Sequence, residues 1–186
     1  MLSVDSDPVD SLRRCSLFLT PEECDRPYLE DMVREVSAKF DLLPFEPHVT
    51  IYSGLYPDFI LFRSYLTGLL AGIPPIRLKV RGIGSTPEYF KSIFIEFEEH
   101  PVLRCIHERI GSSCWVSNSY DLAPHLSLLY AELPLDAKET VISSIHIERG
   151  DFLFDEVKLV TPLNMAAGWR DTRGWHTICR VKLCGK

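Results

Sequence analysis

The pattern of apolar positions along the chain predicts seven strands and four helices. Apolar residues at three- and four-residue intervals, from Leu29 to Phe40, are typical of a helix with one buried face. Short runs that alternate with period two indicate strands. The predicted strands are 14–19, 47–53, 76–84, 89–97, 125–131, 151–161 and 175–183, and the helices begin near 21, 58, 101 and 136.

Three of the predicted helix starts depend on capping residues. Thr20 followed by Pro21 and Glu23 has the pattern of an N-cap, a first-turn proline and a capping box. Asp58 and Asp136 are expected to cap the second and fourth helices. The order helix, strand, helix occurs twice around a histidine-containing strand, which predicts an α+β fold of two sheets at a cleft with helices outside.

The two histidine-containing strands carry nearly the same motif. One reads Pro47-His48-Val49-Thr50 and the other Pro124-His125-Leu126-Ser127. Side chains alternate between the two faces of a strand, so each histidine shares a face with the hydroxyl two residues on. The apolar residue between them points into the core. Two such pairs that face one cavity would form a phosphate site with an acid and a base.

The chemistry of these residues suits phosphodiester hydrolysis. A neutral imidazole can take a proton from water, and an imidazolium can protonate the leaving oxygen. The hydroxyls of Thr50 and Ser127 can donate hydrogen bonds to the non-bridging oxygens. A single H-x-[ST] motif more often has a structural than a functional role, whereas two matched copies favour a functional role. A zinc site is disfavoured, because His48 and His125 have no nearby carboxylate or cysteine ligand.

Composition narrows the choice of partners. The 186 residues carry a net charge of −6, which disfavours strong binding of long nucleic acid. No segment is long and apolar enough to span a membrane, and the acidic start lacks the pattern of a secretory signal. We therefore expect a cytoplasmic monomer with a flexible tail at 1–12 and one domain at 13–186. Of its six cysteines, Cys105 and Cys114 are close enough in sequence for a pairing to be conceivable.

Aromatic and basic residues near the motifs are candidates for substrate contacts. Aromatic rings can stack on a nucleobase, although core packing is the commoner role for any one of them. Two arginines in a Gly/Asp-rich loop could meet a second phosphate, with solvated surface charge as the alternative. The candidates are Tyr130, Trp175 and, with less support, Tyr52, Trp115 and Trp169 among the aromatics, and Arg170 and Arg173 among the arginines. The other histidines are expected to be structural or exposed.

The paired phrases resemble the H-x-[ST]-x motifs of the 2H phosphoesterase superfamily. The longer stretches Phe45–Thr50 and Pro124–Tyr130 are most similar to the plant and fungal cyclic nucleotide phosphodiesterases, and the resemblance covers residues 14–184. It implies a bilobal fold whose cleft lies between two antiparallel sheets. By position, Tyr130 and Trp175 are similar to the aromatic residues with which the family contacts the base.

The resemblance also implies an activity. The family hydrolyses 2′,3′-cyclic nucleotides to 2′-phosphates, and ADP-ribose 1″,2″-cyclic phosphate to ADP-ribose 1″-phosphate, downstream of tRNA splicing and without a metal or other cofactor. We assign His125 as the base and His48 as the acid, an assignment that the near-symmetry of the motifs leaves open. Two alternatives are an enzyme that processes RNA ends and a module that binds nucleotide or RNA phosphates without turnover.

Overall fold

The computed structural model describes residues 13–56, 59–113, 120–163 and 168–185. Within these ranges the chain forms seven strands and four helices in the predicted order. The predicted tail at 1–12 and the predicted cap Asp58 lie outside them. The elements are β1 (Arg13–Pro21), α1 (Arg26–Ala38), β2 (Val49–Tyr56), α2 (Phe59–Leu70), β3 (Ile76–Ser85), β4 (Ile93–Phe97), α3 (Pro101–Gly111), β5 (His125–Leu129), α4 (Leu135–Ile142), β6 (Asp151–Pro162) and β7 (Trp175–Lys182).

The strands form one seven-stranded antiparallel sheet in the order β1-β2-β5-β4-β3-β6-β7, and β1 also pairs with β6. The sheet has two halves that share β6: one contains β2, β1, β6 and β7, and the other contains β5, β4, β3 and the start of β6. The first residues of β6, Asp151–Phe154, pair with β3, while Phe154–Val160 pair with β1 and Glu156–Pro162 pair with β7. The halves also meet at one residue pair between β2 and β5. The predicted α+β fold with antiparallel strands is confirmed.

The helices cover one face of the strands and leave the other face to the cleft. Helix α1 packs on β5 and helix α3 packs on β2, so each helix covers the histidine strand of the other half. The apolar residues of α1 from Leu29 to Val36 are buried as predicted, and so is the stripe of α2. Phe40 lies beyond the end of α1 and is half-buried. Aliphatic and aromatic side chains fill the space between the helices and the strands. This core includes Leu29, Val33, Ile51, Phe62, Leu66, Ile95, Leu126 and Phe154. In the described part of the chain no helix is long and apolar enough to cross a membrane.

The predicted start of α1 is wrong. Thr20 and Pro21 continue β1, because they pair with β6, and the helix begins only at Arg26, after Asp25. The carboxylate of Asp25 makes no cap bond and instead accepts hydrogen bonds from Arg149 and from the backbone of Leu153. Tertiary pairing therefore overrides the local capping pattern.

Two other predicted boundaries also differ. The strand predicted at 89–97 begins only at Ile93, because Tyr89–Lys91 form a 3-10 turn. Helix α4 follows Pro134 at its N-cap, so Asp136 lies in the first turn and is not the cap. The 3-10 turn matters for function because it brings two adjacent residues, Phe90 and Lys91, to the cleft.

Candidate active site

The two histidine motifs lie side by side across the seam between the halves. The single β2–β5 pair joins Val49 to Leu126, the residues between the histidine and the hydroxyl of each motif. Antiparallel pairing about this point sets His48 beside Ser127 and Thr50 beside His125, on strands about 5 Å apart. Val49 and Leu126 are fully buried. The four polar side chains therefore share the opposite face, and all four line one cavity.

Both imidazoles are oriented by the same backbone contact. His48 Nδ1 lies 2.7 Å from the carbonyl oxygen of Glu46, and His125 Nδ1 lies 2.6 Å from that of Ala123. A carbonyl only accepts, so each Nδ1 carries a proton and donates it. Each ring thus keeps Nε2 for chemistry. A proline stands between each histidine and its acceptor, and its restricted φ helps to hold this short loop.

His48 lies in an aromatic, desolvated environment. Its ring stacks on Phe18 with centroids 3.6 Å apart, and the ring of Trp175 meets it edge-on at 5.5 Å. Only 4% of the His48 surface is exposed. Burial lowers the pKa of His48 to about 4, although the carbonyl and the carboxylate of Glu46 act in the opposite direction. In the free protein His48 is therefore neutral at pH 7.

His125 lies at a more open position. It is half-buried, and its ring meets the edge of Phe94 with centroids 5.3 Å apart. Burial also lowers the pKa of His125, and the nearby Lys91 ammonium acts in the same direction. Both rings are therefore poised as bases in the free protein. A bound phosphate would raise both pKa values through its negative charge and allow one ring to carry a proton.

The hydroxyl groups of the site are not equivalent. Thr50 is half-buried and lines the cavity. Ser127 Oγ donates to the carbonyl oxygen of Phe90 at 2.9 Å and so holds the Tyr89–Lys91 turn. Ser127 can therefore donate to a phosphate only by releasing Phe90. Thr50 lies beside Tyr120, whose hydroxyl donates to the Thr50 carbonyl oxygen at 3.5 Å.

Tyr130 contributes its hydroxyl to the site more than its ring face. The ring stacks on Phe45 with centroids 4.0 Å apart and an interplanar angle of 8°. The hydroxyl lies 3.4 Å from His48 Nε2. Burial raises the pKa of Tyr130, and the nearby Ser127 side chain acts in the opposite direction. The phenol therefore lies beside the histidine of one motif, with the serine of the other motif nearby.

An ion pair between a buried lysine and a partly exposed carboxylate lies next to His48. The side chain of Lys158 on β6 is only 5% exposed, and its ammonium donates to the carboxylate of Glu46. Glu156 lies 3.7 Å away as a second partner. Since the carbonyl of Glu46 accepts the hydrogen bond from His48, Lys158 holds the residue that orients the His48 ring. Sequence reasoning missed this pair, which joins residues more than a hundred positions apart.

A cavity of about 440 Å³ contains most of the predicted site. Its lining includes Tyr130, Trp175 and Trp169 together with the four motif residues. Tyr52 is buried in the core, and Trp115 lies outside the described residues. Sequence reasoning missed ten other lining residues. Alternation along β1 and the exposed 3-10 turn were the available signals for some of them. The ten are Arg14, Ser16, Phe18, Ser53, Glu88, Phe90, Lys91, Tyr120, Asp121 and Ala123.

The two loop arginines line a neighbouring cavity and already have acidic partners. Arg170 forms an ion pair with Glu132 at 2.6 Å and lies over the ring of Tyr89. Arg173 lies 3.7 Å from Asp171. These ion pairs favour the interpretation of both arginines as surface charges over the interpretation as phosphate contacts. Among the described residues, no group of three or more His, Cys, Asp or Glu side chains is placed to hold a metal.

The remaining histidines lie apart from the cavity. His100 stands at the N-cap position of α3, and His107 Nδ1 lies 3.0 Å from the carbonyl oxygen of Ile51. His146 and His176 are exposed. Cys105 forms no disulfide, and its conceivable partner Cys114 lies outside the described residues.

An α+β chain whose antiparallel halves present paired H-x-[ST] motifs to one cleft is a 2H phosphoesterase. The family model described as cyclic phosphodiesterase-like protein matches residues 14–184. The chain therefore belongs to this family, and the resemblance seen in the motifs is confirmed. An Arabidopsis thaliana cyclic phosphodiesterase is 23% identical over 124 residues, which cover 67% of this chain and 68% of the relative.

Solved structures share the fold at low sequence identity. TT0787 of Thermus thermophilus has a TM-score of 0.58 at 18% identity, covering 93% of this chain and 99% of its own. Escherichia coli LigT complexed with 3′-AMP has a TM-score of 0.56 at 14% identity, covering 92% of this chain and 98% of its own. These likenesses concern the fold.

Proposed function

We propose that this protein hydrolyses cyclic phosphates without a metal. The substrates are 2′,3′-cyclic nucleotides, opened to 2′-phosphates, and ADP-ribose 1″,2″-cyclic phosphate, opened to ADP-ribose 1″-phosphate. One observation carries the proposal: His48 and His125 each donate Nδ1–H to the backbone and line one cavity with Nε2 left for chemistry. Membership of the cyclic phosphodiesterase-like family supports it.

The reaction needs two proton transfers and one displacement at phosphorus. A neutral imidazole removes a proton from water as the water oxygen bonds to phosphorus. The bond from phosphorus to the 3′ oxygen breaks, and the other imidazole, protonated, gives its proton to that oxygen. The hydroxyls of Thr50 and Tyr130, and that of Ser127 once it releases the Phe90 carbonyl, would stabilise the charge on the non-bridging oxygens. Two histidines thus supply both proton transfers.

The roles of general base and general acid can be assigned to the two histidines in two ways. The sequence hypothesis makes His125 the base and His48 the acid. Deep burial of His48 favours the reverse in the free protein, because a ring with a pKa of about 4 is neutral at pH 7. For His48 to act as the acid, the bound phosphate must restore its proton. A leaving-group experiment described in the Discussion distinguishes the two versions.

Phosphorus NMR of a 2′,3′-cyclic nucleotide incubated with the protein and EDTA tests the proposal. We expect the cyclic phosphate resonance to give way to that of a 2′-phosphate. A 3′-phosphate product would contradict the proposed bond cleavage. Binding without product over hours would favour the phosphate-binding module, and turnover of an oligonucleotide end alone would favour the enzyme that processes RNA ends. The cytoplasmic location and the monomeric state stay predictions.

A further inference from the structure

The cleft extends beyond the histidines along β1 and β2. On β1 the residues that line it are Phe18, Ser16 and Arg14, spaced two apart so that each step is about 7 Å along the strand. On β2, Ser53 lies opposite Ser16 in the strand register. The cavity therefore has a polar arm that runs from the level of Thr50 towards Arg14.

A β-bulge creates the polar floor of this arm. The pairing of β1 with β2 shifts between Leu17 and Phe18, so that Leu17 pairs with Tyr52 and Phe18 pairs with Thr50. The extra residue reverses the alternation of β2 beyond this point. As a result Tyr52 is buried in the core and Ser53 faces the cavity. Strict alternation from Thr50 would have placed the tyrosine in the arm.

The two serines of the arm are arranged to bind an acceptor. Ser16 Oγ donates to Ser53 Oγ at 2.9 Å across the strands. A hydroxyl that accepts a hydrogen bond still has its own proton to donate. Within the described chain Ser53 Oγ donates to no other group, so its proton can point at a ligand in the cavity.

Arg14 ends the arm with a cation that no acidic residue neutralises in the described part of the chain. The two acidic residues in the cavity lining are Glu88 and Asp121, and neither forms an ion pair with Arg14. Its side chain is exposed, while its backbone is held by Thr161, whose hydroxyl donates to the Arg14 carbonyl at 3.0 Å. A guanidinium in this setting favours a phosphate group, to which it can donate in a bidentate manner.

We propose that the arm formed by Arg14, Ser16 and Ser53 binds a second phosphate of the substrate. This inference rests on the proposed function, because it places the cyclic phosphate at His48 and His125. The substrate class is then a cyclic phosphate that carries another phosphate group elsewhere. A nucleoside 2′,3′-cyclic phosphate with a 5′-phosphate and the diphosphate-containing ADP-ribose cyclic phosphate both meet this requirement.

The test compares adenosine 2′,3′-cyclic phosphate with and without a 5′-phosphate. We expect the wild-type protein to have a kcat/KM about tenfold higher for the 5′-phosphorylated substrate, as one charge-assisted contact allows. In Arg14→Gln that ratio should fall to about one. Arg104→Gln removes the same charge from α3, where Arg104 pairs with Glu99, and should keep the wild-type ratio. A wild-type ratio near one, or a ratio that survives Arg14→Gln, overturns the proposal.

A binding measurement separates failure of the arm from failure of the proposed function. If neither cyclic substrate is hydrolysed, the proposed function fails and the arm is tested alone by calorimetry. Adenosine 3′,5′-bisphosphate should then bind about tenfold more tightly than adenosine 3′-monophosphate, and Arg14→Gln should abolish the difference. Equal affinities in the wild-type protein contradict the arm.

Discussion

The imidazole of His48 lies nearly parallel to the ring of Phe18, with 20° between the two planes. Phe18 is itself buried, since only 3% of its surface is exposed. Stacking on a buried apolar ring removes water from one whole face of the imidazole. The contact therefore orients the histidine and, through desolvation, makes its protonation costly.

The first prediction concerns stability against pH. An unfolded histidine has a pKa near 6.5, and folding lowers that of His48 to about 4. The unfolded chain then binds more protons between these values, so His48 contributes stability above about pH 6.5 that is lost as the pH falls towards 4. We expect a loss of about 3 kcal/mol over this range, from about 1.4 kcal/mol for each pKa unit. Urea unfolding at a series of pH values measures it.

Carboxylates titrate in the same range, so the comparison with variants isolates His48. His48→Gln should flatten this part of the pH profile. His146→Gln, which changes an exposed histidine, should leave the profile as in the wild-type protein. If the difference between the wild-type protein and His48→Gln does not depend on pH, the depressed pKa is wrong.

The second prediction is that both histidines are needed for turnover. His48→Ala and His125→Ala should each lower kcat by a factor of about 10² to 10⁴, because each removes one of two proton transfers. Excess EDTA should leave the wild-type rate unchanged. His176→Ala, which alters an exposed residue outside the cavity lining, serves as the control. Near wild-type rates in both motif variants would rule out the site.

The third prediction assigns the acid. A 2′,3′-cyclic substrate with sulfur in place of the 3′ oxygen has a leaving group that needs no proton. It should restore turnover to the variant that lacks the acid and not to the variant that lacks the base. Rescue of His48→Ala alone supports His48 as the acid, and rescue of His125→Ala alone supports the reverse. Rescue of both variants, or of neither, contradicts the division of labour.

The fourth prediction concerns the buried ammonium of Lys158. After burial, its positive charge is one of the factors that lower the pKa of His48. Lys158→Met keeps most of the length of the side chain and removes the charge. Glu46, which is 41% exposed, stays accessible to water. We expect the pKa of His48 to rise, as measured by NMR titration of its ring protons. Turnover should fall by about tenfold through looser positioning of the ring.

A matched control for this variant is Lys79→Met on an exposed position of β3. It removes the same charge far from the ion pair with Glu46. An unshifted His48 titration in Lys158→Met would show that the ion pair does not influence the ring. Equal shifts in both variants would show only a general effect of net charge.

The motifs could be predicted from the sequence because each lies within a few residues on one strand. His48 and Thr50, like His125 and Ser127, share a face by simple alternation. Alternation failed where a bulge intervened, so Ser53 could not be distinguished from Tyr52 as a cavity residue. The start of α1 was predicted wrongly because Thr20 and Pro21 are held by pairing with a strand far along the chain.

Long-range partners account for most of what the sequence could not predict. The pair Lys158 and Glu46 combines residues from β6 and the loop before β2, and no local pattern marks either one. The adjacency of the motifs likewise depends on the contact between Val49 and Leu126. Each of these contacts becomes visible only once the strand order is known.

Strand β6 belongs to both halves, which ties catalysis to cooperative folding. Its first residues complete the half that carries His125, and the rest complete the half that carries His48. A fragment that contains one motif would therefore lack part of its sheet, and we expect neither half to fold when it is expressed alone. The two histidine motifs are therefore expected to come together only in the folded whole domain, because neither half has a complete sheet without β6.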